Sequence, residues 1–180
     1  MDRETILERH RRFLFPSVIN YYKEPIAFAG GSGCRLWDVD GREYLDFFGG
    51  ILTVSLGHCD ETVTEAVVRQ ARTLQHTSTL YPNEAIVTLA ERMAAIAPGR
   101  CRRSFFVNSG TEADETAFLL ARMHAGGAGD VIALRHCYSG RSAVAMNLCA
   151  QGSWRLLPTQ VPGIKHAIAP YCYRCAMGLT

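Results

Sequence analysis

The residues best suited to chemistry stand in one short run, Asn108-Ser109-Gly110-Thr111, between an apolar tetrapeptide and a helical pattern. A glycine flanked by two hydroxyl residues at a helix start offers unpaired backbone N–H groups, two O–H donors and the positive end of the helix dipole, which together suit a phosphate. The same residues spell Ser109-x-x-Glu112, a capping box in which Ser109 and Glu112 satisfy the helix end by themselves. Glu112, Asp114 and Glu115 would repel a phosphate if they faced it. The two readings are compatible, and the residues alone leave both open. A second candidate is Arg135-His136-Cys137-Tyr138-Ser139-Gly140. Tyr138 at a strand end either suits a flat ring lying beside the phosphate or is an ordinary loop-edge residue. Neither Gly-x-Gly-x-x-Gly nor Gly-x-x-x-x-Gly-Lys-Ser/Thr stands at this turn, which weighs against dinucleotide and P-loop binding.

Positioning these loops requires a particular set of elements. Ser104-Phe105-Phe106-Val107 reads as a short buried strand, followed by a helix with Ala113, Ala117, Leu120 and Ala121 on one face and Gly126-Gly127 at its end. Val131-Ile132-Ala133-Leu134 reads as a second strand, so the unit predicts two parallel strands joined by a right-handed crossover, an α/β architecture. Both candidate loops then open at the carboxyl ends of strands, where open parallel sheets bind ligands. Upstream, two aromatic-rich segments flank Asp40-Gly41, a strong hairpin signal, and Gly49-Gly50 follows as either a close-approach loop or a simple turn. Val63, Ala66, Val67, Ala71 and Leu74, and then Ile86, Leu89, Ala90, Met93 and Ala97, recur at helical spacing and predict two amphipathic helices with core-facing aliphatic sides.

The bulk properties exclude several classes of partner. With 19 basic and 17 acidic residues spread along 180, there is no basic block for nucleic acid or an anionic membrane. No apolar run is long enough to span a bilayer, and the charged first residues lack the apolar stretch of a secretory signal, so a cytoplasmic location is expected. Seven cysteines at irregular spacing read as reduced thiols. Cys172-Tyr173-Arg174-Cys175 serves packing, a redox pair or half of a zinc site, and no second ligand pair stands near it, so no bound metal is expected.

The run from Asn108 to Ala117, closing with Ala121-Arg122, resembles the phosphate-binding signature of class III pyridoxal-phosphate-dependent aminotransferases, and Tyr138-Ser139-Gly140-Arg141 is similar to their second cofactor loop. Leu36 to Phe47, Gly49-Gly50-Ile51 and Gly57-His58-Cys59 resemble the N-terminal segment of the same family, so the likeness covers residues 20–180. Phe47-Phe48-Gly49-Gly50-Ile51, His76-Thr77-Ser78-Thr79 and Pro170 to Cys175 resemble the alanine–glyoxylate aminotransferase 2-like subgroup and its phospholyase relatives. The resemblance implies a fold type I transferase, with an N-terminal segment over residues 1–60 containing the β-hairpin and an incomplete cofactor-binding large domain over residues 61–180. It implies pyridoxal 5'-phosphate as cofactor, its phosphate held by Ser109, Gly110 and Thr111, its ring stacked by Tyr138 and adjoined by Ser139. Gly49, Gly50 and Ile51 would lie near the substrate. The sequence departs from the family at Ser139, where histidine is usual, at Glu61, where proline is usual, and at Asp114, where asparagine is frequent.

The family's covalent lysine and the aspartate that pairs with the ring nitrogen lie downstream of the matched segment. Only Lys23 and Lys165 are present, and neither lies in the family's lysine motif, so the 180 residues alone are expected to be inactive. The implied reaction moves an amino group between an amino acid and a 2-oxo acid such as glyoxylate or pyruvate, in a homodimer whose His76–Asn83 stretch reaches the neighbour. A phospholyase or decarboxylase of the same fold, a non-catalytic phosphate-ligand binder and a Cys-x-x-Cys module are the competing classes.

Overall fold

The computed structural model describes residues 1–18, 20–155 and 161–178. They form two compact units, Met1–Pro82 and Asn83–Thr180. In the first, Asp2 caps helix α1 (Arg3–Phe13) by accepting the Thr5 N–H at 2.8 Å. Strands β1 (Phe28–Ser32), β2 (Arg35–Asp38) and β3 (Glu43–Leu45) then form an antiparallel sheet in chain order. The expected Asp40-Gly41 hairpin joins β2 to β3. One carboxylate ties it: Asp38 Oδ1 accepts the N–H groups of Asp40 and Arg42 at 3.0 and 2.8 Å, and Oδ2 accepts the Tyr44 hydroxyl at 2.8 Å. Although desolvation pushes the Asp38 carboxyl upward, these bonds hold it below its ordinary range. A short turn, α2 (Gly49–Leu52), and helix α3 (Glu61–Thr73) complete the unit.

The second unit begins with α4 (Glu84–Ile96), capped by Asn83, whose Oδ1 accepts the Ile86 N–H at 3.1 Å. Helix α5 (Gly110–His124) ends before Gly126-Gly127. Strand β4 (Val131–Leu134), helix α6 (Ala143–Leu148), strand β5 (Ile164–Ala167) and a 3-10 turn at Cys172–Arg174 follow. β4 and β5 run parallel, in register from Val131↔Ile164 to Leu134↔Ala167, and α6 packs on both α5 and β5. This is the crossover arrangement expected of α/β chains, yet its strand partner is not the one read from sequence.

Two expectations are corrected here. Residues 104–107 adopt no regular strand, and Phe105 and Phe106 are exposed, because among the described residues β4 pairs with β5 and no ladder reaches the earlier segment. Nor are the aliphatic faces of α3 and α4 core: Val63, Val67, Leu74, Ile86, Leu89 and Met93 are all exposed. Periodicity shows which face a helix offers, not whether a surface is there to cover it. The buried residues described are Ala27 in the first unit and Gly140, Ala145, Asn147, Leu148 and Cys149 in the second. Among the described residues no helix is long and apolar enough to cross a membrane, and no cluster of three metal-ligating side chains occurs.

Candidate functional site

In the second unit Ser109 caps the N-terminus of α5 as the sequence implied, while the Glu112 carboxylate reaches one residue further back than a capping box requires. Ser109 Oγ accepts the Glu112 N–H at 3.2 Å, and Glu112 Oε2 accepts the N–H of Asn108 at 2.6 Å. The Ala113 N–H goes to the Ser109 carbonyl at 3.1 Å. Capping therefore engages the Glu112 N–H, the Ala113 N–H makes the first intrahelical bond, and Gly110 and Thr111 present the N–H groups at the tip. The Ser109 hydroxyl, used only as an acceptor in this bond, keeps its own proton to donate. Glu112 is turned onto backbone, where the Asn108 N–H partly offsets its charge. Around Gly110 there is open space: a Cβ added there meets nothing within 4 Å.

The loop after β4 comes directly to this tip. Gly140 is buried with φ +128°, and a Cβ at that position would press on the Thr111 hydroxyl and stand 2.8 Å from Thr111 Cβ. Only glycine lets the loop backbone approach the Thr111 side chain so closely at that φ. Ser139 donates its N–H to the buried Cys149 Sγ at 3.1 Å, and Cys137 Sγ donates to the Leu148 carbonyl at 3.1 Å, which fasten the loop onto the end of α6. Buried Asn147 supports the same corner, with Nδ2 donating to the Ala143 carbonyl at 2.8 Å and Oδ1 accepting the Val161 N–H at 3.1 Å. Tyr138 is 55% exposed, and its ring meets Trp154 edge to face at 5.2 Å. Sequence reasoning missed Trp154, which carries no motif and lies 16 residues beyond Tyr138. Arg122, the last residue of the phosphate-helix motif, donates to the carbonyls of Gly127 and Gly129 at 2.8 and 2.9 Å and so fixes the passage from α5 to β4.

In the first unit, Gly49, Gly50 and Ile51 lie in α2, a left-handed turn. Gly49, Gly50, Ile51 and Leu52 have φ of 56°, 60°, 59° and 65°. A left-handed β-branched residue costs on the order of 1–2 kcal/mol, and such strain persists only where neighbours impose it. Asp46 imposes it: Oδ1 accepts the Phe48 and Gly49 N–H groups at 2.7 and 2.9 Å, and Oδ2 lies 2.7 Å from His58 Nε2. The hydrogen bond from His58, then those from Gly49 and Phe48, pull the Asp46 carboxyl down to about 2 against the opposing effect of burial. His58 is held in turn by an antiparallel bridge to Gly33, with N···O distances of 2.9 and 2.8 Å. Neither member of this pair was singled out from the sequence for such a role, since they stand 12 residues apart in unrelated motifs.

A helix tip suited to a phosphate, an interlocked glycine loop and an aromatic ring at its edge narrow the choice of fold families. The family model of class-III aminotransferases matches residues 19–177. The chain belongs to that family. Alanine–glyoxylate aminotransferase 2 homolog 2 of Arabidopsis thaliana is 38% identical over 175 residues, 97% of this chain and 36% of the relative. Acetylornithine aminotransferase of Mycobacterium bovis is 42% identical over 145 residues, 80% of this chain and 36% of that protein. The crystal structure of an (S)-enantioselective omega-transaminase from Thermomicrobium roseum superposes with a TM-score of 0.86 at 28% identity, covering 98% of this chain and 42% of that one. The fold is thus that of the type I transaminases, and the chain spans about a third of the length of the curated relatives it matches. The family's cofactor is pyridoxal 5'-phosphate. The residues at the α5 tip fit its phosphate: two helix-end N–H donors, a free hydroxyl proton and open space at Gly110 answer a dianion, and the exposed face of Tyr138 answers a flat ring.

Proposed function

We propose that this class-III aminotransferase segment supplies the phosphate and ring subsites of an enzyme that moves an amino group between an amino acid and a 2-oxo acid such as glyoxylate or pyruvate. The observation that carries the reading is the contact of Gly140 with Thr111 beside the open helix tip at Gly110. Ser109, Gly110 and Thr111 hold the phosphate and thereby fix one end of the cofactor, which makes the position of the reacting end reproducible. Tyr138, braced by Trp154, lies against the ring, and Ser139 adjoins it. When bound, pyridoxal phosphate supplies an electron sink for charge developing at the amino acid α-carbon. In the first unit, Gly49, Gly50 and Ile51, in the turn that Asp46 holds, are the residues that the family likeness assigns to substrate.

Two features favour a division of labour in which these residues bind but do not react. Lys165 is exposed in the middle of β5, paired opposite Ile132, and Lys23 is exposed in the irregular stretch between α1 and β1. Neither is offered as the covalent lysine, and the isolated chain is proposed to bind the cofactor reversibly without turning it over. The homodimer is part of the same proposal. His76–Asn83 forms an exposed turn in which His76 Nε2 accepts the Ser78 N–H at 3.2 Å, and Leu80 and Tyr81 project 81% and 65% exposed, as an element reaching a second copy would.

Gly110→Glu tests the site without disturbing the fold, because the position is open and an acid in the first helical turn favours the dipole. Losing two charge-assisted bonds of about 1.5–3 kcal/mol each weakens pyridoxal phosphate binding by roughly a hundredfold or more, measured by equilibrium titration of the chain with the cofactor. Unchanged affinity would reduce Ser109-x-x-Glu112 to a helix cap and nothing more. Borohydride reduction of the cofactor-loaded chain followed by mass spectrometry tests the second point. A stoichiometric adduct on Lys165 alone, with turnover of an amino acid, would overturn the non-covalent assignment.

A further inference from the structure

We propose that Cys172 and Cys175 form a reversible dithiol–disulfide site that exchanges with low-molecular-weight disulfides. Cys172 opens the 3-10 turn Cys172–Arg174, which the Arg174 N–H closes onto the Tyr171 carbonyl at 3.3 Å, and Cys175 caps it. In a 3-10 turn, side chains three residues apart eclipse, and a rise of about 2 Å per residue sets their α-carbons about 6 Å apart. That falls within the separation a disulfide bridges, roughly 4.4–6.8 Å. Both cysteines are free thiols, Cys172 exposed and Cys175 half-buried. No third metal-ligating side chain joins them among the described residues.

The other cysteines are placed differently. Cys149 is fully buried and accepts from Ser139, and half-buried Cys137 donates to the Leu148 carbonyl. Cys34 and Cys59 follow Gly33 and His58, which oppose each other in an antiparallel bridge, so the two leave it in opposite directions. Arg174, between the paired thiols, lies over the Tyr173 ring at 5.5 Å and puts a positive charge beside an incoming anionic disulfide such as glutathione disulfide. In the exchange, the Cys172 thiolate attacks one sulfur of glutathione disulfide, whose S–S bond breaks and releases one glutathione thiolate. The Cys175 thiolate then attacks Cys172 sulfur in the mixed disulfide and expels the second. Two electrons pass from the cysteine pair to the small disulfide, and the two thiol protons end on two glutathione thiols.

The experiment incubates the whole 180-residue chain in graded glutathione–glutathione disulfide buffers, quenches with acid, alkylates and digests with trypsin. Trypsin cuts after Lys165 and Arg174, so the bond joins His166–Arg174 to Cys175–Thr180 as a linked pair of peptides. That pair is expected to be the dominant disulfide. In Cys175→Ser the glutathione adduct on Cys172 accumulates roughly tenfold or more above wild type, since the resolving thiol is gone. In Cys172→Ser, adduct at Cys175 stays no higher than at exposed Cys101. A linked pair no more abundant in the native chain than in guanidinium, or adducts spread alike over Cys34, Cys59, Cys101 and Cys172, overturns the proposal.

Discussion

The two units reach order by different means. In the first, two carboxylates organise the backbone: Asp38 gathers two N–H groups and a tyrosine hydroxyl at the hairpin, and Asp46 gathers two N–H groups and His58 at the left-handed turn. Its described buried apolar residue is Ala27. In the second, α6 is buried against α5 and β5, and Ala145, Asn147, Leu148 and Cys149 form a small packed corner beneath the glycine loop. The first unit should therefore respond to charge and the second to volume. Each carries one tryptophan, Trp37 in β2 and Trp154 against Tyr138, so fluorescence of Trp37→Phe and Trp154→Phe backgrounds reads them separately.

The largest effect is expected in the second unit. Gly140→Ala adds a methyl group against Thr111 at a φ that side chains rarely adopt, and should cost about 3 kcal/mol in urea unfolding followed at Trp154, with Trp37 unmoved. A loss below about 0.5 kcal/mol would mean that the two loops are not interlocked. Next comes the acid response of the first unit. Because the Asp46 carboxyl is depressed from 3.8 to about 2, its contribution is complete above pH 3.8 and disappears as the pH falls towards 2. Trp37 should report that decline, and Asp46→Asn should reduce it, the remainder coming from Asp38 and Asp2, which are also depressed. An identical acid slope in the variant would remove Asp46 from its organising role. The smallest effect is a gain: Ile51→Gly releases left-handed strain and should stabilise the first unit by about 1 kcal/mol, read by the same denaturation.

What could be read from sequence was local. Ser109 accepts the N–H three residues on, and the Asp40-Gly41 hairpin forms, because such bonds need only the few residues that spell them. The helix tip at Gly110 and the loop at Tyr138 were legible for the same reason. What was missed is non-local. β5 carries a short mixed pattern whose strand character comes from β4, 33 residues earlier at Val131↔Ile164. The segment 104–107 has the apolar pattern of a strand but, among the described residues, no paired neighbour to make it one. Asp46 with His58, and Tyr138 with Trp154, meet only because turns between them bring them together, and no spacing rule announces either pair.

The left-handed turn at Gly49–Leu52 also gives chirality a meaning at a few consecutive positions. A chain of L-amino acids there follows a path that suits their mirror images. A Cβ at Gly49 meets nothing within 4 Å, so L-alanine there feels the backbone alone. A D-alanine installed at the same residue by chemical ligation through Cys59 would instead sit in its own preferred region. The two isomers differ in no atom, and the difference in stability between them measures how firmly Asp46 holds this stretch in the opposite hand.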